Sequence, residues 1–417
     1  MPRRGDIGPA SPRQVAIARL SALLLLVVAG VLGTAQAAIA STTQPPDLSY
    51  LNAAHQANLT IIQVAQAAKT HGRSSCVRRV GALMERDHRR LAAQELKAAG
   101  QLRVGLVPIP SLAQRQKLNA LAAKAGTSGY DAAWLALQRQ EHQALLTLIG
   151  RELAKGSEPA VKSVAKGAQP VIQMHLQMVA GKCRVGTETP TVPTGDGGQM
   201  ADAQRARSLA ALVLISLGVL LLAGKRTPVR RRLIGVSALI IGIVLVFARP
   251  PGDSGDVPAA GRSVVEQEAA IPPTRLTLPG FVNAPVVPVA TGITGQLQVP
   301  KSPTDVGWWA AGAAPGSAGG TVVLAGHVDS AHGRGVFAAL WDVQVGTKVT
   351  VTAGDGSVHR YQIVARRIYR QDDLPTDLFG GAAKPRLALV TCTGSYNHSA
   401  HRYTHNLVLY GVPLVRT

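Results

Sequence analysis

The sequence predicts a multidomain chain that joins an N-terminal all-α four-helix bundle, a transmembrane helical hairpin and a C-terminal all-β barrel. From residue 48 to 182 the chain is rich in Ala, Leu, Gln and Lys and has few interior breakers, which is typical of helices. Two apolar stretches, 208–224 and 233–248, have no charged residue. From Thr274 onward, short β-branched runs alternate with Gly and Pro, as in small barrels and sandwiches. With 417 residues, the chain is long enough to bury more than one core.

The first 40 residues have the order of an export signal. Four arginines lead into an apolar stretch at residues 20–32, and small-residue sites follow before residue 41. We therefore expect a signal peptide over residues 1–40, cut after Ala40. The alternative is a retained anchor, which leaves the next domain, 41–183, on the same outer side.

Glycines mark the ends of the helices predicted for this domain. The four long helices are expected at 48–70, 75–99, 128–155 and 159–181. The connection over residues 100–126 is much longer than the few residues that join antiparallel neighbours. We therefore expect it to cross over the bundle and to contain a short helix at 112–124.

Two of the three cysteines lie at the ends of these predicted helices. Cys76 opens the second helix and Cys183 follows the fourth, and in an exported domain such a pair is expected to form a disulfide. A simple up-down bundle holds these two points at opposite ends, whereas one long crossover brings them to the same end. The cysteines and the long connection thus both predict a ferritin-like topology.

The two apolar stretches form the predicted hairpin, residues 207–248. Each is near the lower length limit for crossing a bilayer, about 17 residues, and neither has the polar stripe of a buried core helix, which is the alternative. The loop between them, KRTPVRRR, contains five basic residues, as cytoplasmic loops do. Both flanking domains are therefore expected on the outer side, connected to the hairpin by polar linkers at 184–206 and 249–273.

The formal net charge of +21 would suit a nucleic-acid partner. An export signal, a hairpin and the absence of any nucleic-acid-binding motif argue against that class. We expect instead attraction to anionic envelope polymers and membrane lipid, with plain solubility as the alternative.

Cys392 is the cysteine left over in an oxidising compartment, where a lone thiol is buried and inert, dimer-forming or nucleophilic. It ends the apolar strand RLALVTC, where a side chain can emerge into a cleft built by loops. His327 ends another strand, in LAGHVD. The loop after the cysteine adds Arg402 and the histidines His398, His401 and His405. A thiol, an imidazole and a guanidinium suit acyl transfer, and satisfied surface residues are the alternative.

Longer segments identify this half of the chain more closely. PTRLTLPGF, GQLQVPKSPTDVGWW, TVVLAGHVDSAHGRGVFAAL, LALVTCTGSY and HRYTHNLVLYG follow one another along residues 274–417, which on these motifs resemble the class F sortases. The resemblance implies an eight-stranded β-barrel and a cysteine transpeptidase without a cofactor. Such an enzyme cleaves LPxTG-type sorting signals between Thr and Gly through a thioacyl-enzyme. It then transfers the acyl group to an amine of peptidoglycan or of its lipid-linked precursor.

The resemblance also implies roles for individual residues. Cys392 matches the nucleophile, His327 the general acid/base, and Arg402 the arginine that holds the substrate carbonyl and its developing oxyanion. Thr391 and Asp329 are candidate substrate-binding residues, with strand packing and a turn, respectively, as the alternatives. The alternative for the whole protein is an envelope-binding scaffold whose barrel is weakly active or inactive.

The bundle domain has a resemblance of its own. MERDHRRLAAQEL, SGYDAAWLALQRQEHQALL and QPVIQMHLQMV are similar to the DUF4142 family, which implies an exported ferritin-like bundle of unsettled function. Glu85 and His88 form one Glu-x-x-His unit, but His142 and His175 have no Glu three positions earlier, so the second unit of a di-iron site is missing. We therefore expect polar packing and no metal, with an exported iron or redox protein as a third alternative.

Overall fold

The computed structural model describes most of the chain outside the predicted signal peptide. The described residues are 45–180, 183, 191–223, 228–247, 252–259, 270–292, 295–379 and 384–414. The expectation for residues 1–40 therefore lies outside the described residues.

The N-terminal domain is a four-helix bundle with a crossover, which confirms the predicted fold class. Its long helices are α1 (Pro46–His71), α2 (Ser75–Gln101), α4 (Tyr130–Lys155) and α5 (Pro159–Val179). A short helix, α3 (Leu112–Ala122), lies in the long connection, and it begins with a capping box between Ser111 and Gln114. Small and branched apolar side chains fill the core around the indole of Trp134, whose Nε1 donates to the carbonyl oxygen of Val64 at 2.9 Å.

The crossover brings the beginnings of α2 and α4 to the same end of the bundle. The carboxylate of Asp131, in the first turn of α4, accepts hydrogen bonds from the backbone N–H groups of Arg73 and Ser74, both at 2.8 Å. Cys76 and Cys183 meet at this end and form the predicted disulfide. The topology argued from the cysteines is thus the observed one.

Two apolar helices, α6 (Gln199–Leu222) and α7 (Val229–Phe247), pack against each other. A Cβ added to Gly218 would come within 2.9 Å of the carbonyl oxygen of Gly235, so small residues allow the two backbones to approach closely. By length and composition, α6 qualifies as a membrane-crossing helix among the described residues. It begins at Gln199, well before the apolar stretch, and so includes the end of the predicted linker 184–206.

The C-terminal domain is built from eleven described strands. They are β1 (Ser254–Gly255), β2 (Pro273–Leu278), β3 (Val282–Val289), β4 (Val306–Trp309), β5 (Thr321–Ala325), β6 (Asp329–Ser330), β7 (Gly333–Arg334), β8 (Lys348–Ala353), β9 (Val358–Arg370), β10 (Arg386–Asn397) and β11 (Arg402–Pro413). Eight of them close into the predicted barrel in the order β9-β11-β10-β5-β4-β3-β2-β8, because β8 also pairs with β9. Strand β1 is added to the edge of β9, and β6 and β7 form a separate ribbon. Two neighbouring pairs, β3–β4 and β5–β10, are parallel.

The bundle and the barrel contact each other directly. The hydroxyl of Ser163 on α5 donates to the carbonyl oxygen of Pro272 at 3.2 Å. Gln101, at the end of α2, donates through Nε2 to Asp355 at 2.6 Å. Gly167 leaves no room for a Cβ, which would lie 2.9 Å from the ring of Pro272. Helices α2 and α5 therefore form the face of the bundle that lies against the barrel.

Candidate active site

The parallel pair β5–β10 brings the predicted cysteine and histidine level with each other. Ala325 is paired with Val390, and two residues further along each strand come His327 and Cys392. The hydroxyl of Thr391 donates to the carbonyl oxygen of Gly326 at 2.9 Å, which holds the two strand ends together beyond their last paired residues.

The thiol of Cys392 is fully buried and surrounded by hydrogen-bond donors. Asn406 lies opposite it on β11, and the Nδ2 of this residue is 3.8 Å from Sγ. The Nε2 of Gln371 is 3.9 Å from Sγ, and the backbone nitrogen of Thr194 is 3.1 Å from it. Burial raises the pKa of Cys392 to about 11, assisted by the negative charge of Asp329 and opposed in part by the hydrogen bond from Thr194. In this arrangement the sulfur is a neutral thiol at physiological pH.

His327 is held in one tautomer by the chain before β4. Its Nε2 lies 2.8 Å from the carbonyl oxygen of Pro300, and because a carbonyl only accepts, Nε2 carries the proton. Nδ1 is buried without a hydrogen-bond partner among the described residues. It is therefore the ring nitrogen that is left to exchange a proton, as a general acid/base requires.

A segment of the predicted linker closes over this site. Residues 191–200, which we call the strap, are joined to the barrel by backbone hydrogen bonds at Thr191, on both its N–H and its carbonyl. The carbonyl oxygen of Val192 accepts from Nδ2 of Asn406 at 2.8 Å. The N–H of Thr194 donates to Sγ of Cys392, and its carbonyl oxygen accepts from the backbone N–H of Val328 at 2.7 Å. The backbone of Thr194 is therefore hydrogen-bonded both to Cys392 and to Val328, the residue that follows His327.

The second half of the strap is fastened by Asp329. The carboxylate of Asp329 accepts from the backbone N–H of Gly197 at 3.2 Å and from that of Met200, in the first turn of α6, at 2.9 Å. It also accepts from the hydroxyl of Tyr403. A Cβ added to Gly197 would overlap the backbone of Ser330, so the fit requires glycine there. The strap thus runs directly from the cysteine into helix α6.

Arg402 and the loop histidines lie further along the hairpin. Arg402 is exposed, is paired with Asn397 across β10–β11, and is four residues before Asn406 on the same strand. The four-residue separation corresponds to about 13 Å along the strand, and the pairing with β10 is irregular between the two positions. His405 is bonded to Thr404 through Nδ1 at 2.8 Å. No hydrogen bond joins these side chains to Cys392 in the described part of the chain.

The two lesser candidates have other contacts in this structure. Thr391 is fully buried and its hydroxyl is used between strands, and the carboxylate of Asp329 is used by the strap. Asn406, Gln371 and the strap are the functional neighbours that sequence reasoning missed. Of these, only Asn406 could have been found from the sequence. The register of a β10–β11 hairpin would have placed it opposite Cys392.

Each half of the chain contains a segment that matches a known family model. Residues 32–181 match the family model described as "Domain of unknown function (DUF4142)", and residues 276–414 match the sortase domain. None of the curated proteins matches the chain.

Three solved structures are similar to its C-terminal part. They are the SrtA sortase from Actinomyces oris (15% identity, 39% of this chain and 91% of that chain, TM-score 0.25), the SrtF sortase from Corynebacterium diphtheriae (11%, 39% and 88%, 0.26) and the catalytic domain of B. anthracis SrtD (17%, 37% and 94%, 0.25). The chain thus combines two segments that match separate family models, a DUF4142 domain and a sortase domain, and Cys392, His327 and Arg402 lie in the second.

Proposed function

We propose that this protein is a membrane-anchored, extracellular cysteine transpeptidase of the sortase type, with the class F sortases as its nearest group. The observation that carries the proposal is the level position of Cys392, within β10, and His327, two residues past the end of β5, next to the last pair of these two parallel strands. A nucleophile and a base positioned by two paired strands have the fixed relative geometry that covalent catalysis needs.

The proposed reaction takes place in two acyl transfers. His327 takes the proton of the Cys392 thiol as the sulfur attacks the carbonyl carbon of Thr in an LPxTG-type sorting signal, and the Thr–Gly C–N bond breaks as His327 gives that proton to the departing Gly amine. An amine of peptidoglycan, or of its lipid-linked precursor, then attacks the thioester and gives a proton to His327, and the thiolate leaves. Each step forms one bond to the acyl carbon and breaks one, and no cofactor takes part.

The negative oxygen of both tetrahedral intermediates needs donors. We propose the amide of Asn406, whose Nδ2 lies 3.8 Å from the sulfur, and the guanidinium of Arg402, which has to move toward the sulfur when substrate binds. An arginine keeps its charge throughout the cycle and therefore stabilises the oxyanion in both steps.

The strap supports the choice of the Thr–Gly bond. Its sequence over residues 192–195 is Val-Pro-Thr-Gly, and Thr194 is the residue that contacts the sulfur. The cleft therefore accommodates a Pro-Thr-Gly backbone with its threonine at the nucleophile, as a sorting signal requires.

The proposed location also has structural support. The bundle and the barrel contact each other through Ser163 and Gln101, so they belong on the same side of a membrane crossed by the α6–α7 hairpin. The basic loop assigns the opposite, cytoplasmic side to the turn of the hairpin. Sorting signals and envelope amines are found on the outer side, where both domains would face them.

The test uses the full chain in detergent, a Leu-Pro-Ala-Thr-Gly peptide and triglycine as the amine. We expect a transpeptidation product and a thioacyl adduct on Cys392, both abolished in Cys392→Ala, with equal melting temperatures as the folding control. The chains with and without the thiol are also compared in a Gly197→Ala background, in which the added Cβ prevents the strap from packing against Ser330. If Cys392→Ala gives the same amount of product as the chain with the thiol, in both backgrounds and on every peptide and amine offered, the scaffold alternative is correct.

A further inference from the structure

Three histidines converge in the core of the bundle, far from Cys392 in sequence and in a different domain. His88 on α2, His142 on α4 and His175 on α5 are each fully buried. One nitrogen from each ring meets the other two: Nε2 of His88 is 3.2 Å from Nε2 of His142, Nδ1 of His175 is 3.2 Å from Nε2 of His88, and the remaining pair is 3.3 Å apart.

The other nitrogen of each ring is bonded to an acceptor, which fixes all three tautomers. Nδ1 of His88 lies 2.6 Å from Oδ1 of Asn58, and Nδ1 of His142 lies 2.7 Å from the carbonyl oxygen of Gln138. Nε2 of His175 lies 3.0 Å from a carboxylate oxygen of Asp87. These oxygens accept, so the ring nitrogens facing them carry the protons.

In the neutral form that binds a metal ion, the three rings then present their other nitrogens to one common point, each within 3.3 Å of the other two. With Zn–N bonds of about 2.0–2.1 Å, nitrogens 3.2–3.3 Å apart subtend angles of about 100–110° at the ion, close to tetrahedral. The spacing is thus that of three ligands of one transition-metal ion.

A second layer of residues supports the three rings. Asn58 is itself oriented by donating Nδ2 to Glu95 at 2.7 Å. Asp87 is held by an ion pair with Arg86 at 2.7 Å. Carboxylates and amides that orient the rings in this way are the usual outer shell of histidine metal sites.

We propose that His88, His142 and His175 bind one divalent first-row transition ion, Zn²⁺ foremost, as a structural centre that joins α2, α4 and α5. Imidazole nitrogens suit this class of ion, and the buried position suits a structural role. The carbonyl oxygen of Gln138, one turn before His142, holds the outer nitrogen of that ring, so the helix itself orients the ligand. Glu85, of the Glu-x-x-His unit, takes no part in this cluster, because it is bonded to Lys69 and Arg89.

The experiment titrates tag-free full chain in detergent with Co²⁺, whose visible absorption reports its coordination, and then displaces Co²⁺ with Zn²⁺. We expect one ion per chain in a tetrahedral spectrum. His142→Gln should abolish it, and the exposed His71→Gln should leave it unchanged. Asp87→Asn should weaken binding about 10–100-fold, because it removes the group that orients His175.

A second measurement tests the proposal even if the His142→Gln variant fails to fold. Zn²⁺ should raise the melting temperature of the wild-type chain, whereas Mg²⁺ should not. A folded wild-type chain that binds no Co²⁺ or Zn²⁺ would overturn the proposal, and so would a His142→Gln variant that binds one ion as tightly as the wild type.

The strap carries a second, independent inference, which rests on the proposed function of Cys392. The segment fills the cleft, donates to the sulfur and leaves Cys392 with no exposed surface. It presents to the sulfur an N–H group, whereas attack requires a carbonyl carbon. We infer that residues 191–200 act as a built-in pseudosubstrate that keeps the enzyme closed until the segment is withdrawn.

Alkylation of Cys392 by iodoacetamide, followed by mass spectrometry, tests the strap without requiring turnover. In the full chain we expect Gly197→Ala to raise the alkylation rate roughly tenfold or more, because the thiol becomes accessible. The control is Gly252→Ala, since a Cβ at Gly252 meets nothing. A synthetic peptide of residues 191–200 should restore protection. Should Gly197→Ala fail to fold, Thr194→Pro removes the donor to the sulfur instead.

The outcomes separate the two proposals. Faster alkylation without any peptide turnover leaves the strap inference standing and overturns the enzyme. Equal alkylation of both glycine variants overturns the strap inference, whatever the turnover. Fragments cut between Thr194 and Gly195 would also overturn it, because the segment would then be a substrate.

Discussion

The backbone N–H of Thr194 donates a hydrogen bond to Sγ of Cys392 at 3.1 Å, although the two residues are 198 positions apart in the chain. A hydrogen bond donated to the sulfur stabilises the thiolate and lowers the pKa of Cys392. Burial of the side chain raises the pKa by more, so the net shift is upward. The closed arrangement thus holds Cys392 as a neutral thiol, the less reactive form of the side chain.

The first prediction concerns the pH dependence of this thiol. An acid whose pKa is raised to about 11 is neutral below that pH, so alkylation of Cys392 in the wild type should increase about tenfold per pH unit from 7 to 10. Iodoacetamide labelling at fixed times measures it. A rate that levels off near pH 9, the ordinary value for a thiol, would contradict the raised pKa.

Arg402 should matter for the transition state more than for binding. We expect Arg402→Ala to lower kcat by about 10²–10³-fold with little change in KM, and Arg402→Lys to recover part of the loss. The control is Arg370→Ala, because Arg370 is exposed and paired with Asp372. An unchanged kcat in Arg402→Ala would assign the oxyanion to Asn406 alone.

The disulfide should contribute strongly to the bundle. Cys76 and Cys183 close a loop with a sequence separation of 107, and loops of that length correspond to about 3–5 kcal/mol of stability. We expect the double variant Cys76→Ser/Cys183→Ser to lose this amount in urea unfolding followed by circular dichroism. Reduction should destabilise the wild type equally and leave the double variant unaffected, and a loss below about 1 kcal/mol would contradict the expectation.

Glu152 should make the bundle sensitive to pH. Burial and the neighbouring Asp47 raise the pKa of Glu152 to about 7. Because the folded state favours the protonated form, the stabilisation is complete below the ordinary pKa of 4.5 and is lost as pH rises through about 7.

We therefore expect the wild type to be less stable at pH 8 than at pH 5, by about 1–2 kcal/mol from this group. Glu152→Gln should flatten the dependence, and the exposed neighbour Glu158→Gln should not. The measurement is the urea midpoint at the two pH values, and parallel curves for wild type and Glu152→Gln would count against the shift.

The sequence was sufficient for features that depend on local pattern. Glycines such as Gly72 and Gly156 mark where helices end, and the length of the α2–α4 connection required a crossover, which explains the Cys76–Cys183 pair. The roles expected of His327 and Cys392 came from a resemblance that covers the whole barrel, and they stay predictions.

Features that depend on distant contacts were not accessible in this way. The strap is a polar Gly/Thr/Pro segment without periodicity, and its fit to Cys392 and Asp329 exists only in the folded barrel. The meeting of His88, His142 and His175 depends on the rotation of three helices about their axes, which amphipathic patterns define only to within part of a turn.

Asp329 ties Met200, in the first turn of α6, to the same short segment that plugs the cysteine. A fragment that begins after the hairpin would therefore lose helix α6 and the strap together. If the proposed function is correct, kinetic constants measured on such a fragment would describe a permanently open cleft, and its rate would exceed that of the full chain.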